Sequence, residues 1–172
     1  MRKRPTPEIR RDAPAPSARR LRVALVVSEY HSEITSALEA GARRTFAAAG
    51  GSARNLLRLS SPGAFELPVI TAAALRHGRA DAIVALGCIV RGETPHDGHL
   101  ASSVARELGR LAVDHGRPVA FGVLTVHDLA QARARAGGAE GNKGEEAMSA
   151  ALAAAATIRT LSKRRTARKV RS

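Results

Sequence analysis

Apolar and polar positions change period at regular intervals along the chain, and the changes mark out alternating strands and helices. Leu21 to Ser28 (LRVALVVS) is a β-branched apolar run of strand length; Ile34 to Ala49 follows with helical spacing until Gly50-Gly51 ends it. Arg54 to Leu59 alternates like a more exposed strand. After the Ser61-Pro62-Gly63 turn the pattern predicts a helix from about Phe65 to His77. Asp81 to Gly87 (DAIVALG) is continuously apolar, as strands buried on both sheet faces are; a polar loop and a helix from about Ser102 to His115 follow. Val119 to Thr125 (VAFGVLT) is a fourth strand. Beyond it come a short helix over Asp128 to Arg135, a Gly-rich loop and an Ala-rich helix from about Lys143 to Leu161.

Four strands alternating with helices predict a three-layer αβα sandwich around a four-stranded, mostly parallel sheet with right-handed crossovers. Ligands of such sheets bind beyond the carboxyl ends of the strands, near the switch in strand order. The loops after the strands are therefore where chemistry is expected.

Charge changes the picture only at the ends. The net charge is +13, yet residues 1–20 hold seven bases against Glu8 and Asp12, and Arg159 to Ser172 hold seven bases and no acid. About +1 is left for everything between them. Residues 1–20, with Pro5, Pro7, Pro14 and Pro16, have too little apolar surface to offset ordering and read as a disordered basic arm. Residues 21–161 read as one domain, and 162–172 as a basic tail that prolongs the last helix by a turn or two before fraying. Nucleic-acid binding through these tails is the less favoured reading, since they lack aromatic stacking residues; solubilising tails are the simpler one. The single cysteine, Cys88, excludes an intrachain disulfide framework and a multi-cysteine zinc site and points to a reducing cytoplasm. No apolar run is long enough to span a membrane.

Composition also singles out the aromatics, because there are only four. Phe46 sits in a helical pattern, but Tyr30, Phe65 and Phe121 are expected at strand ends, where a flat ligand would need stacking faces. The plainer alternative makes Phe65 and Phe121 ordinary core. Arg91-Gly92-Glu93-Thr94-Pro95-His96 offers an acid, a hydroxyl and an imidazole in a loop past a buried strand, although a lone loop histidine is more often merely solvated. Arg135 to Gly144 resembles an anion-binding turn with Arg135 suited to clamp a phosphate, and it lacks a nucleotide P-loop pattern.

Taken together, PGAFELP (62–68), GCIVRGETPH (87–96), FGVLT (121–125) and RAGGAEGNKG (135–144) resemble the lumazine synthase family in order and spacing, over about Arg22 to Leu161. The resemblance implies a flavodoxin-like fold and a cofactor-free, metal-free condensation of 5-amino-6-(D-ribitylamino)uracil with 3,4-dihydroxy-2-butanone 4-phosphate, giving 6,7-dimethyl-8-ribityllumazine. It implies that Tyr30 stacks on the pyrimidine, that Ala64, Phe65, Glu66, Cys88, Ile89 and Val90 hold the uracil and ribityl chain, and that Phe121 lines the same pocket. Glu93 and Thr94 would contact the sugar phosphate, His96 would transfer protons, Arg135 would clamp the phosphate and Lys143 would assist it.

The family's active sites form between neighbours in pentamers, which occur singly, as decamers or as sixty-subunit shells. The uninterrupted Arg135–Gly144 loop favours a shell, and repulsion between sixty basic tails opposes one. Asp97-Gly98-His99 departs from the aromatic-acid-aromatic run usual after the motif histidine, while Tyr30 and His31 replace the commoner Phe and Asn. These departures leave one alternative: a catalytically weak paralogue that binds lumazine or flavin ligands or serves as an assembly scaffold.

Overall fold

The computed structural model describes residues 17–78 and 80–169. Strands β1 (Val23–Ser28), β2 (Leu56–Ser61), β3 (Ala82–Val90) and β4 (Val119–Val126) form one sheet in the order β2-β1-β3-β4, every neighbouring pair parallel. The chain steps from β1 to β2 on one side, then crosses back to place β3 on the other. The switch point therefore lies between β1 and β3, where β1 Val27 is level with β3 Leu86.

Helices α1 (Ser32–Ala48) and α5 (Lys143–Lys169) cover one face, and α2 (Leu67–Arg76) and α3 (His96–His115) the other. The period of two explains why the central strands read as unbroken apolar runs. Along β1, Val23, Leu25 and Val27 enter the α1/α5 core with Leu38, Phe46, Met148 and Leu152, whereas Ala24 and Val26 enter the α2/α3 core with Leu67, Val104 and Leu108. Each fully buried Leu or Phe stabilises the fold by about 1.5–3 kcal/mol. With Phe46 only 1% exposed, it is the single aromatic that serves the core.

Four boundaries differ from the sequence expectation. Ala18 is wholly buried and its N–H donates to the Ala49 carbonyl at 2.9 Å, so the packed body begins before Leu21. The remainder of the expected arm, residues 1–16, lies outside the described residues, as do 170–172 of the tail; the backbone of α5 is helical through Lys169. Helix α3 starts at His96 rather than near Ser102, because Pro95 sets the first turn and the apolar periodicity that reveals the helix begins only with Leu100, Val104 and Leu108. The expected Gly-rich loop is partly ordered as a small antiparallel hairpin, β5 (Ala136–Gly138) with β6 (Gly141–Asn142), following the short helix α4 (Leu129–Arg135).

One junction fixes the position of that hairpin. Asn142 is buried at the start of α5: its Oδ1 accepts from the backbone N–H groups of Gly144 (2.8 Å) and Glu145 (3.3 Å), and its Nδ2 donates to the Ala37 carbonyl (2.9 Å). The helices meet here at such close range that a methyl group on Gly144 would collide with the Leu38 carbonyl, and one on Gly41 with the Asn142 side chain. A carboxamide is thus satisfied on both ends across the α1–α5 contact, and the flanking Arg135 and Lys143 take their places from it.

Candidate active site

Three loops after β1, β2 and β3 converge on a cleft of about 600 Å³ at the switch point. Tyr30 and His31 stand on one side, Gly63, Ala64, Phe65 and Glu66 on a second, and Cys88, Ile89 and Val90 form the end of β3 beneath them, with His96, Asp97 and Leu100 closing the rim. Eight of the expected site residues, Tyr30, Ala64, Phe65, Glu66, Cys88, Ile89, Val90 and His96, are therefore brought together. Tyr30 is 66% exposed and Phe65 65% exposed, so neither is a core residue, and both present ring surface to solvent.

Local geometry explains how Tyr30 is held. The Glu29 N–H donates to the Ser61 carbonyl at 2.7 Å, joining the β1 loop to the end of β2, and the Tyr30 N–H donates to Ser28 Oγ at 3.3 Å. The Glu29 carboxylate accepts from Arg58 at 2.9 Å, and that hydrogen bond, together with one from Ser60, holds its pKa below the ordinary carboxylate value. Arg58 also reaches Glu39 of α1 at 3.0 Å, so one guanidinium ties β2 to the β1 loop and to α1. His31 follows with φ 56°, a left-handed conformation uncommon outside glycine, and its carbonyl accepts the first backbone bonds of α1, from Ile34 and Thr35. That turn brings the His31 ring edge-on to Tyr30, with centroids 4.7 Å apart and planes at 73°. The sequence alone gave no sign of this pairing beyond the adjacency of the two residues.

On the floor of the cleft Cys88 is 3% exposed, and burial pushes its thiol up from an ordinary 9.0 to about 11. It is a neutral, apolar wall at physiological pH and not a thiolate nucleophile. His96 is the first residue of α3 rather than a loop residue, and it is exposed at the rim. Asp97 does not hold its ring; its carboxylate instead lies 3.5 Å from the Gly92 N–H and braces the preceding loop. Glu93 and Thr94 sit in that loop, both exposed, and do not line the cleft.

The remaining expected residues lie elsewhere. Phe121, Arg135 and Lys143 line a second cleft of about 440 Å³ along β4 and the start of α5, together with Glu146, Ala147 and Ala150, which sequence reasoning did not single out. Phe121 is the third residue of β4, opposite β3 Ala85, and not at the strand end as its place in the apolar run suggested; it is 45% exposed. Arg135 ends α4 and is half-buried, its guanidinium donating to the Gln131 carbonyl at 3.2 Å. Lys143 donates to the Glu146 carboxylate at 2.7 Å. The helix bearing Arg135 is secured at both ends: Asp128 accepts from the Gln131 N–H at 2.8 Å, and Arg133 grips Glu33 of α1 with two bonds of 2.9 and 3.1 Å. The Arg133 contact also lowers the Glu33 pKa. The two clefts share no lining residue.

Among the described residues no group of three or more His, Cys, Asp or Glu side chains is placed to hold a metal ion, and no helix is long and apolar enough to cross a membrane.

Fold and clefts define the class: a flavodoxin-like α/β protein whose main cleft sits at the switch between β1 and β3. Residues 20–159 match the family model described as 6,7-dimethyl-8-ribityllumazine synthase. The chain is 50% identical over 143 residues to the 6,7-dimethyl-8-ribityllumazine synthase of Leifsonia xyli subsp. xyli, covering 82% of this chain and 88% of that one. Proteins of the same name from Kineococcus radiotolerans and Porphyromonas gingivalis are 45% identical over 141 residues (81% and 86% covered) and 42% identical over 137 residues (80% and 85% covered). The chain belongs to the 6,7-dimethyl-8-ribityllumazine synthase family.

Proposed function

We propose that the chain is a transferase of riboflavin biosynthesis that condenses 5-amino-6-(D-ribitylamino)uracil with 3,4-dihydroxy-2-butanone 4-phosphate, forming 6,7-dimethyl-8-ribityllumazine and releasing phosphate and water. The observation that carries this reading is the convergence of two exposed aromatic rings, an apolar strand end and a rim imidazole at the switch point of a chain in this family.

In this reading Tyr30 stacks on the pyrimidine, while Ala64, Phe65, Glu66 and the Cys88–Val90 strand end hold the uracil and ribityl chain. The substrate amine attacks the ketone and water leaves as a Schiff base forms. Phosphate then departs by elimination, and the second amine closes the ring. His96, at the rim, moves protons in these steps, and positioning supplies much of the acceleration. Arg135, assisted by Lys143, binds the phosphate and stabilises its departure. Glu93 and Thr94, in the loop before α3, contact the sugar phosphate once it is bound.

Because Phe121, Arg135 and Lys143 are remote from the Tyr30 cleft, we assign them to the active site of a neighbouring copy, in a homo-oligomer built from pentamers as a pentamer, decamer or sixty-subunit shell. No cofactor or metal is needed, and the reducing cytoplasm suits the single neutral thiol of Cys88. The alternative of a weakly catalytic binding paralogue or scaffold is not favoured, since the relatives carry the synthase name.

The test is a stopped assay with both substrates. Formation of the fluorescent lumazine with one phosphate released per product supports the reading, and tight ligand binding with no product overturns it.

A further inference from the structure

The amino edge of the sheet, opposite the carboxyl ends that form the switch-point cleft, gathers positive charge from both ends of the chain. A cleft of about 330 Å³ there is lined by Arg20, Asp81, Arg117, Pro118 and Arg159 among others. Arg20 comes from the N-terminal segment, Arg117 precedes β4, and Arg159 belongs to α5, so residues distant in sequence meet at one place. The one acid in the cleft is already engaged: the Asp81 carboxylate accepts from the Arg22 backbone N–H at 2.9 Å and from its guanidinium at 3.3 Å. Arg117 is anchored by the Ala80 and Leu75 carbonyls, at 3.1 and 3.4 Å, and keeps its charge.

From this cleft α5 continues from Arg159 to Lys169, about 16 Å of further helix. Five of the eight residues 162–169 are basic (Lys163, Arg164, Arg165, Arg168 and Lys169), and no acid occurs after Glu146. Residues 1–20, which enter the body beside the same cleft, add seven bases against two acids. This charge belongs to the two ends of a chain whose intervening part carries about +1.

The composition of the extension chooses between polyanions. A helix that lies on a membrane needs an apolar stripe, and after Leu161 only Ala167 and Val170 are apolar. Base stacking needs aromatics, and neither residues 1–20 nor 159–172 contain one. What remains is attraction for closely spaced phosphates, driven by counterion release. We propose that this edge, through the α5 extension and the Arg20–Arg117–Arg159 cleft, binds the phosphodiester backbone of nucleic acid without regard to base sequence. The surface is separate from the residues assigned to the condensation, so it stands or falls independently of that activity.

Fluorescence-polarisation titration of the full chain tests it, with a labelled single-stranded RNA and a duplex DNA, each about 30 nucleotides long and each in two unrelated sequences. Binding to either probe, equal for the two sequences and falling linearly in log–log form between about 50 and 200 mM KCl, is expected; the ratio of the probes assigns the strand type. The combined variant Lys163→Gln, Arg164→Gln, Arg165→Gln, Arg168→Gln and Lys169→Gln keeps good helix formers. It should bind at least about tenfold more weakly, with a salt slope shallower by about 4, and condense substrates at the parental rate. No binding to either probe at about 50 mM salt, unchanged binding by the variant, or tighter binding to phosphatidylserine vesicles than to nucleic acid would each overturn the proposal.

Discussion

The cleft at the switch point and the cleft along β4 are built from opposite materials. The first has two exposed rings, a floor of Cys88, Ile89 and Val90, and no basic side chain stronger than an imidazole. The second has one ring, a guanidinium and an ammonium, with small alanines behind them. A flat heterocycle suits the first and a phosphate the second, and a condensation that joins the two kinds of substrate needs both. The means of support differ too. The first cleft is fixed by strand ends, which the sheet holds rigidly. The second depends on the Asn142 carboxamide, the Gly41 and Gly144 close approach and the Glu33–Arg133 pair, which together press α4, the hairpin and α5 against α1. Of these the ion pair contributes least, since exposed pairs are worth about 0–1 kcal/mol.

Three perturbations sharpen the contrast. The largest effect concerns the floor of the first cleft. With its thiol at about 11 in place of 9.0, Cys88 should react with an alkylating reagent at pH 8 at least about 100-fold more slowly than in the unfolded chain, and the rate should climb toward pH 11. The same shift has a sign for stability: folding favours the neutral thiol, so its contribution is complete below pH 9 and is lost as the pH rises through 11. Rapid, pH-independent alkylation of the native protein would mean that the floor is open. Next in size, Arg135→Ala should lower kcat/KM for the sugar phosphate about 30-fold, the loss of a charge-assisted phosphate contact of roughly 2 kcal/mol, while affinity for the uracil stays within about twofold. Equal losses for both substrates would dissolve the distinction between the clefts. Smallest, Tyr30→Ala should weaken uracil binding about tenfold by calorimetry and leave the phosphate inhibition constant unmoved.

The same contrast separates what the chain discloses from what it conceals. Strands β1 and β3 were legible because both of their faces are buried and the apolar runs are unbroken. Tyr30, Phe65 and His96 were legible as rare or polar types just beyond such runs. The first turn of α3 was not, since Gly98 and His99 carry no apolar period and the turn is set by Pro95 and by Asp97 reaching Gly92. Phe121 misled for a related reason: inside an apolar run nothing distinguishes a strand end from its third residue, and only the pairing with Ala85 fixes its level. The division into two clefts is also invisible along the chain, because it depends on which side of β4 the hairpin and α5 occupy. The charged ends reverse the lesson. Their composition was evident at once, but that Arg20 and Arg159 line one cleft emerges only from the fold.

The central claim is that each active site takes the Tyr30 cleft of one copy and the Arg135 cleft of another. Complementation tests it most directly. A Tyr30→Ala/His96→Ala variant and an Arg135→Ala variant, each of low activity alone, are unfolded together, mixed in equal amounts and reassembled. If sites form between copies in a ring, about one interface in four joins an intact Tyr30 cleft to an intact Arg135 cleft, and the mixture should recover about a quarter of the parental activity. A mixture no more active than the mean of its two components would contradict the account.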